Sequence, residues 1–394
     1  MKAVGIEAMN VFAGTAFLDV KKLSEHRGLD TTRFENLLMK EKTVALPYED
    51  PITFAVNAAK PIVDALSPEE RDRIEMVITC TESAFDFGKS MSTYCHSLLG
   101  LNRNCRLFEI KNACYSGAAG IQMAVNFVLS QASPGAKALV IPTDISRFMV
   151  EDGGDALTAD WSFAEPSNGS GAVAMLISDQ PHLFQVDVGA NGYYGYEVMD
   201  TCRPTVDGDA GDADLSLLCY LDCCENAFLE YKKRVPDADF ASTFTYLAYH
   251  CPFGGMIKGA HRNMMRKMVR GKPQEIEEDF QRRVTPGMIY CQRVANIMGA
   301  TTAISKPRSA SAPSPTAPAV APNSSAAWFA RKASSACARW ASRRISTAAS
   351  NWRWRNTTAC WSAAMRSGSV RATPCSIPAS SPEPAARWTG RCCS

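Results

Sequence analysis

The sequence has no Cys-x-x-Cys pair, no leading apolar segment of the secretory kind and no unbroken apolar run of membrane-spanning length. Its fifteen cysteines show neither pairing nor regular spacing. They are therefore expected to be reduced thiols in a cytoplasm, not a disulfide framework. The first residues, Met1-Lys2-Ala3-Val4-Gly5-Ile6-Glu7, place a carboxylate inside the apolar run, which reads as a first strand and not as a signal sequence. No stretch approaches the roughly 18–20 apolar residues that a membrane helix needs. The final Cys392-Cys393-Ser394 lacks the cysteine four from the end that prenylation requires.

The formal net charge of +2 conceals a division. Residues 306–394 hold 13 of the 42 lysines and arginines but a single acid, Glu383, so residues 1–305 are net acidic. An acidic body does not suggest nucleic acid as a partner. With 394 residues, 46% of them hydrophobic, the chain has material for a large core and two lobes of similar size.

Residues 1–305 read as alternating strands and helices. Apolar runs at 3–12, 74–81, 105–110, 137–145 and 171–178 have the length and composition of buried strands. Segments 51–66, 115–131 and 215–234 have helical character. Such alternation implies layered α/β architecture. The run Asp207-Gly208-Asp209-Ala210-Gly211-Asp212-Ala213 reads as a loop.

Beyond Ser305 the composition changes. Residues 306–394 contain no Leu, Tyr, Asp or His, yet hold six of the seven tryptophans. A folded lobe does not omit leucine, the commonest core residue. The segment reads as translation of a GC-rich gene in the wrong frame. The alternatives are a basic, Trp-bearing nucleic-acid tail or ordinary disorder, and six tryptophans argue against the latter.

Three segments carry chemistry. In Phe108-Glu109-Ile110-Lys111-Asn112-Ala113-Cys114-Tyr115-Ser116-Gly117-Ala118-Ala119-Gly120 a strand ends, a short turn holds Cys114 and small residues open a helix. A cysteine there meets the positive end of the helix dipole and free N–H groups, which are expected to lower its pKa and to hold a thioester oxyanion. The alternative is one buried cysteine among fifteen. Glu82 follows the strongly apolar run Val77-Ile78-Thr79-Cys80, at the carboxyl end of a strand, where α/β proteins place ligands. A partly buried carboxylate there can act as a base, and a surface glutamate is the plainer alternative. His250 ends another apolar run before Cys251-Pro252-Phe253 and can donate to a substrate carbonyl, or else be a core histidine. His26, His96, His182 and His261 lack such a setting. The string Gly169-Ser170-Gly171-Ala172-Val173-Ala174 fails as a dinucleotide fingerprint because it precedes a strand and does not open a helix. It reads instead as a tightly packed glycine loop beside an active site.

Taken together and in order, these segments resemble 3-hydroxy-3-methylglutaryl-CoA synthase. Thr81-Glu82-Ser83 is similar to the family's base motif, Ala113-Cys114-Tyr115 to its nucleophile motif, and His250 with Pro252-Phe253 to its histidine motif. Thr143-Asp144, Glu165-Pro166, Arg203-Pro204 and Asn296-Ile297 match further positions. The stretches 192–205, 214–228 and 296–302 resemble the branch of the family that installs β-branches in polyketides.

The resemblance spans about residues 1–305. It implies a thiolase-like fold of five layers, αβαβα, built from two similar halves, here 1–180 and an incomplete 181–305, followed by the unrelated 306–394. It implies that Cys114 is acetylated by an acetyl thioester on a donor acyl-carrier protein. Glu82 then makes the acetyl enolate, which attacks the β-ketone of an acyl chain on an acceptor carrier protein. His250 assists at the ketone oxygen with Asn296 nearby, and water releases the product. Lys258, Phe253, Gly169 and Asn296 are expected on the substrate-binding side, with neither metal nor cofactor, in a homodimer. A ketosynthase or thiolase making a linear Claisen product is the nearest rival, but that pattern pairs Cys with two His or with His and a second Cys. An inactive truncated fragment is the non-enzymatic alternative.

Overall fold

The computed structural model describes residues 3–83, 85–145, 165–202, 210–285 and 302–304. Asn296 and the segment 306–394 lie outside the described residues. The chain divides into two units, Met1–Ala321 and Pro322–Ser394, and everything described belongs to the first.

In chain order the elements are β1 (Gly5–Phe12), β2 (Ala16–Asp19), α1 (Val20–His26), α2 (Thr31–Asn36), β3 (Glu41–Val44), α3 (Pro51–Asp64), α4 (Pro68–Asp72), β4 (Ile74–Cys80), α5 (Met91–Leu98), β5 (Arg106–Ile110), α6 (Ser116–Ser130), β6 (Lys137–Asp144), β7 (Gly171–Ser178), β8 (Phe184–Gln185), β9 (Thr201–Cys202), β10 (Ala210–Gly211), α7 (Ala213–Arg234), β11 (Tyr246–Ala248), α8 (Gly254–Met264), α9 (Pro273–Asp279) and β12 (Thr302–Ile304). A six-stranded sheet in the order β5-β4-β6-β7-β1-β8 forms the frame. β5, β4 and β6 run parallel, and β7 and β1 are antiparallel to their neighbours.

The period of two along each strand sorts side chains onto two faces. Val77, Leu139, Ile141, Ala172 and Leu176 point to one face, where α3 covers them with Phe54, Ala55, Ala58, Ala59, Ile62 and Val63. Ile78, Cys80, Ala138, Val140, Met175 and Ile177 point to the other, under Ala124, Val125, Phe127 and Val128 of α6. Strands buried on both faces account for the unbroken apolar runs in the sequence. α3 starts where Asp50 accepts from the Thr53 amide at 2.6 Å and Pro51 takes the first turn. α6 approaches the sheet closely at Gly120, where a Cβ would stand 2.5 Å from the Cys80 sulfur.

The remainder of the first unit is mostly helical among the described residues. Phe240, Phe244, Leu247, Ile257, Met264, Ile276 and Phe280 make its core. His261, which has no evident setting in the sequence, is completely buried there, with Nε2 3.0 Å from Asp279. Burial drives its pKa down to about 4 against the pull of Asp279. Arg283, equally buried, binds the same carboxylate and the Phe240 carbonyl, so the group is a structural knot.

The run read as a loop over 207–213 is corrected at its end. Ala210–Gly211 pairs with Thr201–Cys202, and Asp212 caps α7 by accepting from the amides of Asp214 and Leu215. Its carboxylate satisfies helix N–H groups that a loop reading leaves unassigned. The strand before His250 is also shorter than the apolar run suggests: β11 stops at Ala248, leaving His250 two residues beyond it.

Candidate active site

Two strand ends create the site. β4 and β5 are parallel and in register, with Cys80 opposite Ile110, and the Thr81 amide donates to the Ile110 carbonyl at 3.1 Å. Parallel neighbours finish at the same edge of a sheet. Glu82, two residues past β4, and Cys114, four past β5, therefore emerge side by side. β6 ends at the same edge with Asp144, since Cys80 also lies opposite Pro142. The carboxyl edge of a parallel sheet is where such folds bind ligands.

The turn at Cys114 is sharp. Ala113 has a φ of +41°, in the left-handed region that an alanine occupies only at a cost. Tyr115 N donates to Asn112 O at 3.1 Å, Ser116 N to Ala113 O at 3.2 Å and Ser116 Oγ to the same carbonyl at 2.9 Å. α6 follows with no side-chain hydrogen bond capping its first turn.

Burial sets the thiol's acidity. The expectation that the helix would lower the Cys114 pKa is corrected, because burial raises it, Glu82 and Asp144 raise it further, and Asp200 adds to this. The Cys114 backbone N–H works in the opposite direction but less strongly. The half-buried sulfur, under the influence of three carboxylates, therefore has a raised pKa. After burial, the Glu82 charge is the strongest influence on Cys114, in keeping with their leaving neighbouring parallel strands at one sheet edge.

Asp144 organises the backbone around Glu82. Its Oδ1 accepts from Thr81 Oγ1 at 2.7 Å, the Glu82 amide at 2.9 Å, the Ser83 amide at 3.0 Å and Ser83 Oγ at 2.9 Å. The backbone around Glu82 is thus gathered onto one oxygen. Burial raises the Asp144 pKa to about 6, although every one of these donors favours the ionised form. In the sequence Asp144 stands out only as part of a matching pair. The available signal was that Thr143-Asp144 closes an apolar strand just as Thr81-Glu82 does.

His250 is contacted from α7. Tyr220 on α7 donates to its carbonyl at 2.8 Å, and the two rings meet edge to face at 6.1 Å. α7 also reaches toward the nucleophile, for Ser216, one turn earlier, donates at 3.0 Å to Asp200, the third carboxylate felt by Cys114. Asp200, Ser216 and Tyr220 lie in stretches that resemble the β-branching branch, but sequence alone assigns none of them a contact, because those depend on how α7 packs.

The substrate-side expectations divide. Gly169 is buried in the loop that enters β7, at the edge where Gly171 lies opposite Asp144. Phe253 packs with Val20, Phe34 and Met39. Lys258 pairs with Glu277 at 3.0 Å, with its ammonium 5.7 Å from the Phe280 ring. Asn296 is outside the described residues. Among the described residues no cluster of His, Cys, Asp or Glu could hold a metal ion, and no helix is long and apolar enough to cross a membrane. The nine described cysteines are free thiols.

A family model for the hydroxymethylglutaryl-coenzyme A synthase N terminal matches residues 1–181. The chain is 71% identical over 300 residues to the polyketide biosynthesis 3-hydroxy-3-methylglutaryl-ACP synthase PksG of Bacillus subtilis (strain 168), covering 76% of this chain and 71% of that one. It is 32% identical over 301 residues to the hydroxymethylglutaryl-CoA synthase of Enterococcus faecalis, covering 75% and 72%. Among solved structures, the curacin biosynthetic pathway HMG synthase in complex with acetyl donor-ACP superposes with a TM-score of 0.72 at 66% identity, over 76% of this chain and 71% of that one. That agreement bears out the α/β, thiolase-like fold class. An edge-sharing carboxylate and cysteine on this fold, with these relatives, lead to one conclusion: the chain belongs to the hydroxymethylglutaryl-CoA synthase family of acyltransferases.

Proposed function

We propose that the protein condenses an acetyl thioester with a β-ketoacyl thioester carried on an acyl-carrier protein, installing a β-branch in a polyketide. The observation that carries this reading is the meeting of Glu82 and Cys114 at one sheet edge. Relatives solved with a donor carrier protein in its acetyl, holo and apo forms support acyl-carrier proteins as partners. The reading includes a cytoplasmic location. Residues 1–180 act as the half that supplies base and nucleophile, residues 181–305 supply His250, and two copies form the working dimer.

The chemistry follows from the electrostatics. Cys114 rests as a thiol. Its sulfur attacks the acetyl carbonyl, the carrier's sulfur departs, and the Cys114 proton ends on that leaving thiol. The exchange is balanced without a net charge in a dry site. N–H groups at the start of α6 are placed to hold the oxyanion. Acetylation removes the thiol, and Glu82 then faces the acetyl methyl group. It takes one methyl proton, and the enolate carbon bonds to the β-ketone carbon of the acceptor. His250 donates the proton that the new alkoxide needs. Water cleaves the Cys114 thioester, giving a carboxylate and regenerating the thiol. Phe253, Lys258, Gly169 and Asn296 are assigned to the substrate side of this centre.

Intact-mass spectrometry of the full chain with acetyl-carrier protein tests the reading. The expected result is one acetyl adduct that is absent from Cys114→Ala. An adduct persisting in Cys114→Ala removes the assignment, and a wild-type chain that never acquires one points instead to a partner-binding remnant.

A further inference from the structure

Two adjacent residues of β3 grip the segment Glu165–Ser170, a helical turn followed by a short loop, at its two ends. Buried Lys42 donates from Nζ to the Glu165 carbonyl. Thr43 Oγ1 donates to the Ser170 carbonyl at 2.5 Å and accepts from the Ser170 amide at 2.8 Å. The Glu165 carboxylate meanwhile receives Arg27 Nε at 3.0 Å and Nη2 at 2.8 Å. Ser170 leads directly into Gly171, which lies opposite Asp144. Asp144 in turn gathers Thr81, Glu82 and Ser83. Hydrogen bonds, one covalent step from Ser170 to Gly171 and the strand pairing of Gly171 with Asp144 thus link β3 to the backbone around Glu82.

A buried ammonium is costly, and lysine is rarely so enclosed without a purpose. Across the β2–β3 pair its neighbour is Leu18, so an apolar side chain would suit that side. We infer that Lys42 is a positioning residue for the condensation step: its ammonium pins the Glu165–Ser170 loop to β3, and through Gly171 and Asp144 that loop holds Glu82 in register with Cys114. This rests on the functional reading above.

The charged groups facing Lys42 are Glu165 from the loop and Arg27 from the end of α1. Burial, opposed by Glu165 and reinforced by Arg27, lowers the Lys42 pKa to about 8. Above that pH the neutral amine donates a weaker hydrogen bond than the cation does. At the same time the cost of burying a cation disappears. Between about 8 and the ordinary lysine range, therefore, Lys42's contribution to global stability rises with pH while its hold on the loop weakens. A merely structural residue would move activity and stability in the same direction.

The test uses the full chain as wild type, Lys42→Arg and Lys42→Met. Condensation of acetyl- with β-ketoacyl-carrier protein is followed from neutral to alkaline pH, with thermal unfolding and amide exchange of residues 165–171 measured alongside. In wild type, kcat is expected to fall through an apparent pKa of about 8 with no matching fall in Tm. Lys42→Arg, which keeps its charge, moves that limb to higher pH. Lys42→Met lowers kcat about tenfold at neutral pH, with KM within about twofold and no such limb, as misplacement of a base does. An unmoved limb in Lys42→Arg, or amide protection of 165–171 unaltered in Lys42→Met, overturns the role of Lys42 while leaving the functional reading intact. A wild type that does not condense, yet whose 165–171 protection weakens near pH 8 and is restored in Lys42→Arg, overturns the functional reading alone.

Discussion

The two sides of this site are held by different kinds of structure. Glu82 and Cys114 leave adjacent parallel strands in fixed register, and Asp144 on the third strand ties down the backbone around the base. His250 sits two residues past a three-residue strand, steadied by Tyr220 from a helix. The first arrangement is determined by main-chain pairing and tolerates little movement. The second depends on helix packing and can be adjusted. On the proposed mechanism, the residues that must cooperate on a carbon acid, where misplacement is most costly, are those on the sheet.

Glu82→Ala gives the sharpest test of that contrast. Acetylation of Cys114 should survive while condensation falls by roughly 10²–10⁴-fold, because a positioned base supplies about that much. Single-turnover measurement of both half-reactions decides, and an equal loss in both would mean that Glu82 serves the thiol and not the acetyl group.

Asp144→Ala probes the clamp. It strands the Thr81 and Ser83 donors in a buried place, at about 1–3 kcal/mol for each group left without a partner. Condensation should drop on the order of tenfold or more with a lower Tm. The pH dependence of the native clamp has two opposite signs. With its folded pKa raised to about 6, Asp144 contributes stability when protonated, and that contribution is lost as pH rises through about 6. The ionised form is the better acceptor, so condensation should instead decline as pH falls below about 6.

Glu82→Gln isolates electrostatics. After burial, Glu82 is the largest influence keeping the Cys114 proton in place. Removing its charge should speed Cys114 alkylation by iodoacetamide several-fold at mildly alkaline pH. Unchanged or slower labelling would show that the two side chains do not face one another. The smallest effect belongs to the adaptable side. Tyr220→Phe deletes a single hydrogen bond to the His250 carbonyl, worth about 1 kcal/mol. It should lower condensation a few-fold while acetylation stays constant.

Most of the sheet was legible because its strands are buried on both faces and short. Runs such as Ile74–Cys80 and Gly171–Ser178 can be little else between turn-forming neighbours. Cys114 and Glu82 were legible because polar residues that close apolar strands fall at a predictable edge. The direction of the Cys114 pKa was not, since the sum of burial and three carboxylates is a three-dimensional quantity. The cap at Asp212 and the buried pair of His261 with Asp279 escaped for the same reason: their partners are chosen by packing.

By itself, then, the sequence determined the order of strands and helices, the two chemical groups at the sheet edge and the family to which they belong. These depend on local pattern and on chemistry that only certain residue types can perform. Tertiary structure alone decided that the Cys114 pKa is raised, that Asp144 gathers the backbone around Glu82 and that Lys42 lies buried against the Glu165–Ser170 segment. Each of these is a balance between desolvation and distant charges, and such a balance exists only once the chain has folded.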